Sequence, residues 1–284
     1  MAQNMRLLRG RIKTAKNITQ ITKAMEMVAA SKMRRAQEQT ESGKPYTQKL
    51  SSIAQNLLGR VEEGAHPYLT EQAKGKTLLL LFSSDKGLCG SFNTNIYREL
   101  VKIGSLDDIE VIAVGKKMVR PVIRLGGVLL ADFPFGTTLP PFESVFPISA
   151  IIVESFLKEE YKEVKCIFTQ FGSLSVQKPV TITLLPIKKA DEAAPQDVLP
   201  YAFEPNAQEL LSALMPHYLE MSLYQMLLES YASEQASRMI AMHQASENAK
   251  DVIWALTLVF NKARQERITN ELLDITAGAA GANA

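Results

Sequence analysis

The chain has 284 residues, 46% of them hydrophobic and 22% charged, which suits a protein that buries a real core. No run of about 18 apolar residues occurs, so nothing in it reads as a membrane span. Its two cysteines, Cys89 and Cys166, lie far apart without metal-ligand spacing; this fits a reducing compartment and argues against a disulfide scaffold. The net charge of +2 hides an asymmetry: residues 1–37 carry nine Lys/Arg against the single acid Glu26, a balance of +8, and the rest carries −6. A basic arm on an acidic body calls for an acidic partner, either nucleic acid or acidic protein loops. The first 25 residues are basic and lack acids, as a transit peptide would, but the helical pattern continues past them and they read as mature protein.

The first block, residues 1–60, is helical. Met5, Leu8, Ile12 and Ala15 step by three and four, and so do Tyr46, Leu50, Ile53 and Leu57. Gly43 and Pro45 fall inside this pattern and are expected to kink or interrupt the helix. The stretch "ITKAMEMVAASKMRRAQ", residues 21–37, has apolar side chains around more than half its circumference, which is too wide a face for an ordinary surface helix.

The middle block, residues 76–189, alternates strands with helices. "TLLLLF", "IEVIAVG", "VLLADF", "VKCIFTQF" and "VTITLLPI" read as strands. "FNTNIYRELVKI" and "ISAIIVESFLKEEY" read as helices, and "KKMVRPVIRL" as a weaker one. Alternation of this kind builds a largely parallel sheet, and the short "GSLSVQKP" connection makes the last two strands an antiparallel edge. A linker, "KKADEAAPQDVLPYAFEP", follows. In the third block, residues 206–284, Asn206 and Glu209 have the spacing of a capping box. Pro216 is expected to bend the helix early. Ala249, Ile253, Leu256, Phe260 and Ala263 then step by four and three, as in a coiled-coil seam.

The predicted fold is α/β: a Rossmann-like domain with a mixed, mostly parallel sheet, plus a long antiparallel coiled coil of the N- and C-terminal helices. Helices of about 60 and 70 residues span about 90 and 105 Å. A domain of about 115 residues has a radius of gyration of only about 13 Å. Neither helix is therefore expected to lie on the domain; both should project and pair, with the numbers of facing residues adding to about 267. Residues 268–284 then overhang with no partner inside the chain.

"ITKAMEMVAASKM", "SSDKGLCGSFN", "ASEQASRMIAMHQASENA", "LVFNKARQERIT" and "ITNELLDITAGAAG" together resemble the γ subunit of F-type ATP synthases, from end to end and in order. The resemblance implies a non-catalytic shaft without cofactor or metal. Such a shaft turns inside a head of α and β subunits, and its foot binds the ε subunit and the c-ring. It implies proton-driven (or sodium-driven) ATP synthesis at the cytoplasmic face of a bacterial inner membrane, with membrane association through the complex alone. By the same resemblance, contacts with the head map to Met25, Lys32, Arg34, Arg35, Arg238, Gln265, Thr269 and Glu271. Foot contacts map to Lys86, Gly87, Leu88, Cys89 and Gly90. The cysteine-bearing insert of plant chloroplast forms is absent.

Two other readings are open to the residues. A basic coiled coil can grip nucleic acid, with binding that falls steeply with salt, although the arm lacks aromatic stacking residues. An α/β enzyme with an oligomerisation rod would need its chemistry at "SSDKGLCGS", where Cys89 could be a nucleophile aided by Asp85 or Lys86. That loop is neither a P-loop nor a dinucleotide fingerprint. His66, His217 and His243 lie outside the segment, so the loop reads better as a glycine turn at a protein interface.

Overall fold

The computed structural model describes residues 2–58, 66–70, 72, 74–187, 204 and 206–282; the linker, apart from residue 204, lies outside them. The chain divides into two compact units, one of residues 1–29 with 239–284 and one of residues 30–238. Helix α1 (Ala2–Leu58) and helix α5 (Ala207–Ala282) each contribute to both.

The larger unit is built on five strands: β1 (Lys76–Phe82), β2 (Ile109–Val114), β3 (Val128–Phe133), β4 (Tyr161–Phe171) and β5 (Gln177–Leu185). Their order is β3-β2-β1-β4-β5. β1, β2, β3 and β4 run parallel, and β5 pairs antiparallel with β4, as the short connection requires. β1 is central and buried on both faces, which explains an unbroken leucine run where a half-exposed strand would alternate.

Its side chains split by parity between two cores. Leu79 and Leu81 pack with Phe92, Ile96 and Leu100 of α2 (Phe92–Lys102) and Val122 of α3 (Val119–Arg124). Leu78, Leu80 and Phe82 pack with Ile148, Ile152 and Phe156 of α4 (Phe146–Leu157). They share this core with Ala54, Leu57 and Leu58 of α1 and with Leu211, Met215, Leu219, Leu223 and Tyr231 of α5.

This corrects one expectation. The parts of the terminal helices in residues 30–58 and 207–238 do pack on the α/β domain. One helix, α4, cannot cover the second face of a five-stranded sheet, and burying those leucines contributes about 1.5–3 kcal/mol apiece. Both helices run on through their prolines, without interruption at Pro45 or Pro216. Pro45 is exposed, and it leaves the carbonyl four residues back without an amide partner. Around it Thr40, Ser42 and Thr47 hydroxyls donate back to the carbonyls of Ala36, Gln39 and Gly43 at 2.8, 3.0 and 3.1 Å. The capping box at the start of α5 forms: the Glu209 amide donates to Asn206 Oδ1 at 2.9 Å, and Asn206 Nδ2 donates to Glu209 Oε1 at 2.7 Å.

The smaller unit is an antiparallel helix pair. Thr22 faces Ser246, Glu26 faces His243, and Arg9 lies over the Phe260 ring. The numbers of each pair add to 268 or 269, close to the 267 expected from helix length alone.

Candidate partner-binding surfaces

The "SSDKGLCGS" segment leaves the carboxyl end of β1, between β2 on one side and β4 on the other. In an open α/β sheet this is the topological switch point, where ligands usually bind. Here the polar groups of the turn are spent on one another. Ser83 Oγ donates to the Gly115 carbonyl at 2.9 Å, and Ser84 Oγ to the Lys86 carbonyl at 2.8 Å. Asn93 Nδ2 donates to Ser84 Oγ at 2.7 Å and to Cys89 Sγ at 3.2 Å. The Asp85 carboxylate accepts the Lys116 and Gly136 amides at 3.1 and 2.9 Å, tying the ends of β1, β2 and β3 together. Gly115, at φ +103°, is obligatory because a Cβ there would meet the Ser83 carbonyl oxygen at 2.1 Å. Cys89 is buried, and that burial pushes its thiol above the ordinary value despite the Ser84 hydroxyl and the Arg238 charge. A thiol held in its neutral form is a poor nucleophile.

What the turn offers outward is Leu88. It is 63% exposed and sits at φ 63°, a left-handed conformation that costs an apolar residue about 1–2 kcal/mol. Lys86 and Gly90 are exposed beside it. The braced turn thus holds a leucine out to solvent in a strained conformation.

Arg238 braces this turn from α5. Its guanidinium donates to the Gly87 carbonyl at 3.5 Å and to Glu234 Oε1 at 2.5 Å, one helical turn back. Glu234 is 3% exposed, and burial raises its carboxyl above the usual value while Arg238 pulls it down. Gln235 Nε2 donates to its other oxygen at 3.2 Å. So one residue mapped to the head, Arg238, and one mapped to the foot, Gly87, meet in a single cluster. Glu234 completes that cluster and was not singled out in the sequence; Asp85, named there only as a possible aid to Cys89, is the neighbouring charge that raises the Glu234 carboxyl further. The Glu-to-Arg spacing of four in "EQASR" was a legible signal for the first.

The other mapped residues are dispersed. Lys32 Nζ donates to the Thr137 carbonyl at 2.6 Å, an acceptor shared with the Tyr231 hydroxyl at 3.3 Å. Arg34 and Arg35 are exposed on the larger unit. In the helix pair Met25 is half-buried. Gln265 and Thr269 are exposed and share a bond from the Thr269 hydroxyl to the Gln265 carbonyl at 3.0 Å, and Glu271 pairs with Arg267 at 2.6 Å.

The helix pair carries large apolar side chains outside as well as inside. Its most buried positions are Ala15, Thr22, Ala29, Met242 and Ser246, with Leu8, Ile12, Ile253, Leu256 and Phe260 half-buried. Leu7, Ile18, Ile21, Met27 and Val28 of α1 are exposed, as are Val252, Trp254, Leu258 and Val259 of α5. Trp254 is 67% exposed, as is Ile275 near the end of α5, where Ile268, Leu272 and Leu273 are also exposed. Apolar surface on this scale marks a surface that partners cover. Between the helices runs a groove of about 810 Å³, lined by Leu7, Ile18, Val252 and Leu256 with Arg6 and Arg11 among its walls.

The family described as ATP synthase matches residues 4–281. An ATP synthase gamma chain of Dehalococcoides mccartyi is 41% identical over 281 residues, covering 98% of each chain. That of Methylacidiphilum infernorum is 39% identical over 284 residues, covering 95% of this chain and 96% of its own. Among solved structures, a chain of the Euglena gracilis mitochondrial ATP synthase OSCP/F1/c-ring assembly shares the fold. Its TM-score is 0.71 at 18% identity, over 99% of this chain and 95% of that one. A chain of the Tetrahymena thermophila mitochondrial central stalk and c-ring has a TM-score of 0.59 at 28% identity, over 80% and 99%.

Proposed function

The chain belongs to the ATP synthase gamma-chain family, and from that premise we propose that it is the central rotor shaft of an F-type ATP synthase. In this reading it couples proton-driven rotation of a c-ring to ATP synthesis in a head of α and β subunits. The observation that carries it is the helix pair's exposed apolar surface, with Leu7, Ile18, Ile21, Met27 and Val28 of α1 and Val252, Trp254, Leu258 and Val259 of α5 all uncovered. That is the arrangement of an axle in a close-fitting sleeve.

The mechanism asks for asymmetry rather than chemistry. A shaft that touched each β subunit equally would shift no equilibrium, however tightly it bound. Helix faces that differ around the axis present each β subunit with a different surface as the shaft turns, and so favour different nucleotide affinities in turn. The chain performs no bond-making step of its own in this account. Arg34 and Arg35, exposed on α1, meet acidic loops of the head, as do Met25 and Lys32 on the same helix. Gln265, Thr269 and Glu271 belong to the part of α5 that enters the sleeve. Because Arg238 rests on Gly87, residues 86–90 and Arg238 act as one contact. The ε subunit and the c-ring bind the α/β unit. The complex sits at the cytoplasmic face of a bacterial inner membrane, and this subunit is held there by its partners; none of its described helices is long and apolar enough to cross a membrane.

Amide hydrogen exchange over residues 268–277 tests the reading, comparing the free chain with the assembled complex. The expected result is fast exchange when free and strong protection when assembled. Equal rates in both states would remove the sleeve and with it the shaft.

A further inference from the structure

Helix α4 is close to apolar on every side. Of its twelve residues, Phe146 to Leu157, only Glu154 carries a charge. Such a composition belongs to a helix that is covered all round, because a helix on the surface of a finished assembly keeps a polar outer face. Within the chain only one side is covered, where Ile148, Ile152 and Phe156 are buried against the sheet. On the opposite side Phe146, Ala150 and Leu157 are exposed, with Val153 half-buried at their edge. Their spacing of four, three and four makes one continuous outward stripe.

The stripe continues past the end of the helix. The Phe146 ring meets Phe142 edge to face at 5.2 Å, and Phe142 meets Tyr224 and His217 at 5.3 and 6.2 Å. Such ring pairs are favourable beyond the area they bury, so the aromatic end of the stripe is held in place. Charge is nearly absent. Glu154 pairs with Lys158 at 2.7 Å, and neither α4 nor the turn before it, Phe142–Val145, carries a Lys or Arg.

The kind of occupant follows from what the stripe lacks. Anionic lipid headgroups and acidic loops both need cations, and find none here. The loops that a membrane-embedded ring turns to the cytoplasm are polar and rich in Lys/Arg. They would meet only the exposed Glu143 and would leave the row of Phe, Val and Leu bare. What fits is the apolar, uncharged face of a folded soluble subunit. On the reading of the chain as a rotor shaft, on which this rests, we propose that the outer stripe of α4 is the seat of the ε subunit on the α/β unit. Phe146 and Leu157, 41% and 48% exposed, are its anchors, and the small Ala150 between them lets the partner approach closely.

The test uses the full-length chain with purified ε subunit, c-ring and α/β head, and with vesicles of anionic lipid. Ala150→Lys with Leu157→Lys places charges at two exposed positions, so the free chain should melt as before. Its affinity for ε should fall about a hundredfold or more, with its affinity for the head unchanged. In a second chain, Ala150→Cys supplies a thiol while the buried Cys89 and Cys166 stay out of reach. That thiol should react fast with a maleimide in the free chain and slowly once ε is bound. Slow reaction in the free chain would overturn the proposal, since the chain would then cover its own stripe. So would protection by the c-ring, by the vesicles or by a second copy of the chain in place of ε. A double-Lys chain that binds ε at parental affinity removes the seat and leaves the shaft reading standing. An unaltered chain that does not bind ε at all removes both. If the double-Lys chain does not fold, the labelling result decides alone.

Discussion

Tyr46 and His217 are each the residue after a proline inside a long helix, and they face one another with the tyrosine hydroxyl 2.9 Å from His217 Nε2. Their rings meet edge to face at 6.1 Å, and the Phe142 ring closes on His217 at 6.2 Å. A proline leaves its helix one backbone bond short; here both shortfalls lie beside a side-chain bond that joins the two helices. Tyr46→Phe should cost about 0.5–1.5 kcal/mol, read as a lower urea midpoint at unchanged slope. A midpoint that does not move would show that solvent replaces the bond without loss.

Arg238→Ala should be far more costly. It leaves the Glu234 carboxylate, whose side chain is 4% exposed, without its cation, and releases the Gly87 carbonyl. Removing one partner of a buried ion pair costs about 3–5 kcal/mol. Adding Glu234→Gln to the same chain should recover part of that loss. A double variant no more stable than Arg238→Ala alone would place the cost in the Gly87 contact or in lost packing.

Glu110 makes the acid side of the stability curve predictable. Its carboxyl is held below the ordinary 4.5, first by the bond from Lys76 Nζ at 2.6 Å and then by the Tyr161 hydroxyl at 2.6 Å. A depressed folded-state value means that the ionised group stabilises the fold above 4.5, and that this contribution fades as pH falls through the lower value. Melting curves of Glu110→Gln should lie below those of the parent at neutral pH and converge with them in acid. Curves separated by a constant amount at every pH would contradict the assignment.

Arg34→Glu with Arg35→Glu tests the shaft reading at its basic arm. Both side chains are exposed, so the isolated chain should melt as before, within about 0.5 kcal/mol. In the assembled complex, ions pumped per ATP hydrolysed should fall. Full pumping efficiency would take the acidic loops of the head away from these two positions.

Much of this was legible in the residues, and the illegible remainder shares a cause. β1 announced itself because a strand buried on both faces needs an unbroken leucine run. The α5 cap was readable because Asn206 and Glu209 are three residues apart and meet locally. What escaped was non-local. Nothing near Gly87 says that Arg238 will reach its carbonyl, and nothing in Leu57 or Leu219 says which sheet face they cover. Length arithmetic placed those helices off the domain because it counted residues and ignored the bare second face of the sheet. Neither Pro45 nor Pro216 interrupts its helix, because a proline removes a single backbone bond from a long helix whose other bonds and packing remain. For the mapped contact residues a single chain carries exposure and charge but not the other half of any interface.

The outward-facing leucines, valines and tryptophan of the helix pair also bear on the life of the chain before assembly. A newly made copy displays, fully folded, the kind of surface that quality-control machinery reads as damage. It cannot hide that surface by folding further, because the seam of the pair is already occupied. Synthesis of this chain therefore has to keep step with synthesis of whatever encloses it, and any surplus is destined for chaperones and proteases rather than for a soluble reserve.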